Sequence, residues 1–118
     1  MIKSYKDLEV WQRSIELVKD IYAITREFPA EERFGLASQL RKTAISVPSN
    51  IAEGKARHFS KEYVQFLYIA LGSVAELETQ IIIARELGYI ADECAGDVFE
   101  EIDHIGRMLR KLIEAIKK

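Results

Sequence analysis

Cysteine is nearly absent from this 118-residue chain: Cys94 stands alone, which excludes an internal disulfide, and no Cys/His cluster has zinc-ligand spacing. Proline occurs twice and glycine six times. An all-β sandwich of this length would need turn signals roughly every 8–12 residues, and they are missing. No apolar run reaches the roughly 18 residues of a membrane span, and the opening MIKSYKDLEV lacks the apolar centre of a signal peptide. These absences point to a helical, cytoplasmic protein with no membrane partner. Hydrophobic residues make up 48% of the chain and charged residues 31%. That balance excludes a disordered tract and supplies the core of one domain, residues 1–118.

The net charge of −2 hides an asymmetry. Between residues 33 and 61 the bases Arg33, Arg41, Lys42, Lys55, Arg57 and Lys61 face one acid, Glu53. This stretch therefore carries +5 and the remainder −7. A basic stripe on an acidic body either steers a polyanion or is a solvated face balanced by neighbouring helices.

Apolar spacing defines four helices. Ser4 and Asp7 resemble a capping box, and Leu8, Trp11, Ile15, Val18, Tyr22 and Thr25 then recur at spacings of three and four. A second line, Val10, Ser14, Leu17, Ile21, Ile24 and Phe28, runs beside the first, and Pro29 ends the helix. The second helix is expected from Glu31 or Glu32. Its line Leu36, Leu40, Ala44, Val47 and Ile51 stays within about 40° at the helical pitch, straight through Pro48. That predicts one helix kinked at Pro48, fraying after Gly54. Ser60 is the expected cap of the third helix, whose core face reads Tyr63, Phe66, Ala70, Val74, Leu77, Ile81 and Ala84, with Gly88 as the stop. Gly72 inside it marks either a close backbone approach or a tolerated glycine. The fourth helix, from about Asp92 to Lys117, keeps Val98, Ile102, Ile105, Leu109, Leu112 and Ile116 in phase, with acids early and bases late. Together these predict an all-α, antiparallel up-down-up-down four-helix bundle.

Two helices are more apolar than one bundle requires. Val64, Tyr68, Leu71, Ala75 and Ile82 form a second strip on the third helix, and Val10, Leu17 and Ile24 form one on the first. Apolar surface in excess of a core predicts burial between subunits, hence a homo-oligomer.

Chemistry is harder to find. Glu101 and His104 have Glu-x-x-His spacing, but a di-metal bundle needs two such motifs and two more glutamates, and His58 has no glutamate three residues before it. Cys94 sits among Asp92, Glu93 and Asp97, which disfavour a thiolate. The glycines are isolated, so no phosphate loop exists. No catalytic residue, cofactor or metal site is expected. A polar stripe is present: Gln39, Thr43, Ser46, Asn50, Glu53 and Arg57 recur along the second helix, with Glu62, Ser73, Glu76 and Gln80 in a matching sector of the third. It is either a helix or subunit seam, with Asn50 and Glu76 partly buried, or a solvated flank.

The stretch Glu32-Arg33-Phe34-Gly35-Leu36-Ala37-Ser38-Gln39-Leu40-Arg41-Lys42, followed by Ala44-Ile45-Ser46-Val47-Pro48-Ser49-Asn50-Ile51-Ala52-Glu53-Gly54, resembles the signature of bacterial 23S rRNA intervening-sequence proteins. Asp7-Leu8-Glu9-Val10-Trp11-Gln12, Phe28-Pro29 and the third-helix run from Phe66 to Ser73 agree as well. The resemblance implies a closed four-helix bundle, a ring-shaped homopentamer and no enzymatic activity. The family is also similar to the accessory protein of diversity-generating retroelements, a basic pentameric bundle linked to nucleic acid. An acidic chain with a pI near 5.7 departs from that basic character.

The resulting expectation is a non-catalytic, homo-oligomeric assembly or adaptor module, a pentamer by resemblance. Its polar seam would be Gln39, Ser46, Asn50, Glu53, Glu76 and Gln80, and its interface Val64, Tyr68, Leu71, Ala75 and Ile82. The alternative is a sequence-independent RNA or DNA binder using Arg41, Lys42, Lys55 and Arg57 through electrostatics. A metal-dependent bundle enzyme is the third reading.

Overall fold

The four stretches of three-four spacing become four long helices in the structure, a computed structural model that describes residues 4–118. The first three residues of the expected domain lie outside the described residues. A one-turn 3-10 segment, Tyr5–Asp7, precedes helices α1 (Glu9–Thr25), α2 (Leu36–Lys55), α3 (Ser60–Glu86) and α4 (Asp92–Lys117), and a second, Ala30–Glu32, lies in the loop between α1 and α2. No strand occurs among the described residues. α2 packs against α1 and α3, and α4 against α3 and α1. The body measures 44 × 24 × 21 Å. All four helices feed one apolar cluster, with Leu17, Ile21, Leu40, Ile51, Leu67, Leu77, Ile81 and Ile105 at its centre.

On α1 the structure corrects the choice of core face. Val10, Ser14, Leu17, Ile21 and Thr25 are buried, so Val10 and Leu17 belong to this chain's own core and not to a contact between subunits. Trp11, Ile15, Val18 and Tyr22 are only half-buried beside it. The inward line includes Ser14, a polar residue that periodicity alone does not mark as core, and ends on Thr25, which the spacing had assigned to the neighbouring line. Both hydroxyls turn back to backbone carbonyls, Ser14 to Val10 at 2.7 Å and Thr25 to Ile21 at 2.7 Å, and satisfied in this way they sit in a core at little cost. The Ser4/Asp7 capping box is present, yet it closes the 3-10 turn ahead of α1.

α2 starts later than expected, at Leu36, and Glu32 caps it from outside the helix. One carboxylate oxygen of Glu32 accepts the Leu36 N–H at 3.1 Å and the other accepts the Tyr89 hydroxyl at 2.9 Å. An anion at a helix N-terminus is favoured by the helix dipole. This one also ties the α3–α4 loop to the start of α2, beside a Phe28–Tyr89 ring contact at 5.5 Å. Further along, α2 runs unbroken through Pro48. Val47, Pro48 and Ile51 are buried, and Ser46 donates to Thr43 O at 2.6 Å while Asn50 donates to Ser46 O at 2.7 Å. Both hydrogen bonds stay within α2, in the turns beside Pro48, whose missing N–H would otherwise have bonded the Ala44 carbonyl.

Two glycines do different work. Gly54 is buried where α2 meets α3, and a Cβ there would lie 2.8 Å from Phe66 Cβ and 3.2 Å from the Tyr63 carbonyl oxygen. At Gly72, read from the sequence as either a close approach or a tolerated glycine, nothing lies within 4 Å of an added Cβ. Gly88, with φ at 80°, ends α3 as expected. The Gly88 N–H bonds Arg85 O at 3.0 Å and the Tyr89 N–H bonds Ala84 O at 2.9 Å, the Schellman pattern that needs a left-handed residue. The expected Ser60 cap is displaced by one residue: Phe59 occupies the cap position and no side chain caps α3.

The paired glycines give a test. Gly54→Ala should lower stability by about 1–3 kcal/mol through overpacking, despite the better helix propensity of alanine. Gly72→Ala should instead raise it, by up to about 1 kcal/mol. Urea unfolding followed by circular dichroism measures both.

Candidate interaction surfaces

α3 buries one face and leaves the rest apolar. Leu67, Ala70, Val74, Leu77, Ile81 and Ala84 point into the core, so Leu67 replaces Tyr63 and Phe66 of the expected face, which are half-buried. Of the strip expected to lie between subunits, Tyr68, Ala75 and Ile82 are exposed in the single chain and Val64 and Leu71 half-buried. Ile69, Ile83 and Leu87 are exposed as well, at 52%, 43% and 54%, and sequence reasoning missed them. They lie on the flank of α3 that the polar stripe had been given. By length and composition α3 would pass for a membrane span, with a mean hydropathy of 1.5 over 18 residues, although two-thirds of that window lies outside the core. Reading only for uninterrupted apolar runs had hidden this, because Glu76 and Glu78 break the run.

The polar stripe is only partly a seam. Ser46 and Asn50 are half-buried but spend their donors on their own helix, as described above. Gln39, Glu53 and Glu76 are exposed in the single chain. Gln80 is buried, at 8% exposure, and its Oε1 has no hydrogen-bond partner. An unpaired buried oxygen of this kind costs on the order of 1–3 kcal/mol.

The candidate cations fall into two groups, one early on α2 and one at its end and in the following loop, and the 13 residues from Lys42 to Lys55 separate them by about 20 Å. At one end Arg41 works inside the fold. Its Nε donates to Thr25 Oγ1 at 2.7 Å, its guanidinium lies 4.6 Å from the Tyr22 ring centre, and it reaches Tyr22 O at 3.5 Å. A cation at the C-terminal turn of α1 suits that helix's dipole. Lys42 is exposed. Beside them Phe34 is 88% exposed, with Arg33 5.3 Å from its ring. At the other end Arg57 pairs with Glu53 at 2.8 Å and Glu62 at 3.9 Å and lies 4.8 Å over Phe66. Lys55 sits 5.7 Å from the Tyr63 ring. Arg41 and Arg57 are thus committed to contacts within the chain.

The Glu-x-x-His segment is also structural. Glu101 receives two hydrogen bonds from Arg13, each 3.0 Å, joining α1 to α4. No group of three or more potential ligand side chains gathers among the described residues. Nearby, burial first, then the charges of Glu16 and Glu101, raise the Asp20 carboxyl above its usual pKa.

Comparison with known proteins gives one family and one fold. The family model described as 23S rRNA-intervening sequence protein matches residues 6–111. A solved structure from Bacteroides thetaiotaomicron, a protein of unknown function from the S23 ribosomal protein family, superposes with a TM-score of 0.83 at 22% identity, covering 89% of this chain and 95% of that one. At that identity the likeness concerns the fold alone. No curated protein matches.

Two measurements check these roles. Arg41→Ala should cost about 1 kcal/mol or more in urea unfolding, while Lys42→Ala stays within about 0.5 kcal/mol of the unmodified chain. Asp20→Asn should stabilise near neutral pH by about 0.3 kcal/mol, the scale of an i,i+4 like-charge pair at the surface. Because the folded-state pKa is raised, the ionised Asp20 is unfavourable above it, and the gain should vanish as pH falls through it toward the unfolded value. Unfolding curves across that range read the difference.

Proposed function

We propose, for a chain that belongs to the 23S rRNA-intervening sequence protein family, that it is a non-catalytic assembly or adaptor module which closes into a homo-oligomeric ring, a pentamer by its family resemblance. The carrying observation is the outer half of α3, where Tyr68, Ile69, Ile82 and Ile83 are 40–52% exposed. Several large apolar side chains left exposed along one helix are uncommon on a monomer and ordinary at a subunit interface.

The rest of the architecture supports this reading. Residues 56–59 and 87–91 connect consecutive helices, and four or five residues reach at most about 14–18 Å. Helices of about 30–40 Å joined by such links return alongside their predecessors, which supports the up-down-up-down arrangement. A bend at Pro48 belongs to the same reading, since the helix passes through a residue that clashes with the preceding turn. Binding of RNA or DNA by the basic segment is the less supported alternative. Arg41 and Arg57 are occupied, and the two cation groups stand apart within one chain.

Light scattering at micromolar concentration should give a mass several times 13.5 kDa. Leu71→Glu should reduce it to the monomer with helicity retained. A monomeric mass for the unmodified chain would overturn the proposal.

A further inference from the structure

A ring of more than two copies cannot be built from one self-complementary patch. Cyclic closure beyond a dimer needs two different surfaces on each subunit, each fitting the other. The outer strip of α3 is one. Resting on the assembly reading above, we infer that the second is the α1/α2 face centred on Ile45, and that Ile45 of one copy seats in a hollow between α3 and α4 of the next.

The hollow has about 100 Å³ of free volume, the share of roughly three liquid waters. Leu71, Val74, Ala75, Ile102 and Gly106 line its apolar floor. Gly106 keeps it open, because a Cβ there would lie within 3.5–4.0 Å of Arg110, Val74 and Leu71 side-chain atoms. Glu78, Asp103 and Arg110 form its charged rim, and Asp103 also pairs with Arg107 at 3.2 Å.

Ile45 is a matching projection. It is 41% exposed on α2, beside a shallow depression shared with Tyr22, Phe34, Arg41 and Lys42. Its level along the bundle agrees with that of the hollow. Gly54 of α2 lies against Tyr63 and Phe66 of α3. Nine residues back along α2 from Gly54 is Ile45, and nine residues on from Tyr63 is Gly72, both displaced by about 14 Å in the same direction if the helices are antiparallel. Leu71 and Val74, which touch the Gly106 position, flank that level. A rotation about an axis along the helices preserves level, so it can carry one surface onto the other.

Charge agrees turn by turn. Arg41 and Lys42 precede Ile45 by one turn, on the side toward the start of α2. Glu78 follows Val74 by one turn and Asp103 precedes Gly106 by one turn, and both lie on that same side of the hollow. Arg110 lies one turn to the other side, level with Ser49, which brings no cation against it. With Ile45 seated, Lys42 stands opposite the two acids, and Phe34 falls near the level of Ile82. The partner on the basic face is therefore a second copy of this chain, and the cations that suggested a polyanion serve to set the register of docking.

The test uses four single variants of the full chain and one double variant, with circular dichroism to confirm folding. Ile45→Glu and Leu71→Glu should each be monomeric alone, and mixed at high concentration they should form a 1:1 complex of twice the 13.5 kDa subunit mass, because each retains the surface the other has lost. Lys42→Glu and Glu78→Lys should each raise the concentration at which the assembly dissociates by about tenfold, and the double variant should return it to within about threefold of the original. An Ile45→Glu protein that keeps the full mass while Leu71→Glu dissociates overturns this pairing of surfaces and leaves the assembly itself standing. Charge reversal at Lys42 that abolishes nucleic-acid binding without altering mass also overturns it, assigning the face to a polyanion. A monomeric unmodified chain removes the assembly reading instead.

Discussion

A helix in a ring of four can hide only the face turned toward the core and its two neighbours, and α3 is apolar over most of its circumference. Everything else about the molecule is arranged around that mismatch. α2 approaches α3 closely enough to require glycine at position 54, and α4 lies over its other flank through Gly106. Even with small residues admitting both neighbours, Tyr68, Ile69, Ile82 and Ile83 stay in contact with water. At about 25 cal/mol per Å² of apolar surface removed from water, covering such a strip is a strong drive toward association.

Several polar side chains act as ties between segments of the fold. Glu32 joins three segments at one end of the bundle with a single carboxylate, and Arg13 with Glu101 clamps α1 to α4 with a two-pronged contact. Arg41 serves α1 and α2 in the same manner. These are longer-range contacts between helices that the core alone would leave free to slide, so they select one register among several of similar apolar burial.

Gln80 stands apart from this pattern. It is buried with an unpaired amide oxygen, on the flank of α3 that also carries Ile69 and Ile83. Nothing in the single chain explains why this position is not apolar.

Periodicity and punctuation made the helices legible. Three-four spacing located all four, the survival of apolar phase across Pro48 carried α2 through a residue that usually breaks helices, and Gly88 marked the end of α3. These features are local: they depend on the helical pitch and on the few residues whose backbone preferences are unusual. What only tertiary structure decided was which of two adjacent lines on α1 faces inward, which glycine meets another helix, and which cations are already committed. A serine in the core is readable as core only once its hydroxyl is seen to bond its own backbone, and Gly54 differs from Gly72 solely in what lies opposite. The family signature, dense around Phe34–Gly54, belongs with the first group. The use of Arg41 belongs with the second, because it depends on Thr25 and Tyr22, residues distant in the chain that folding alone brings within reach.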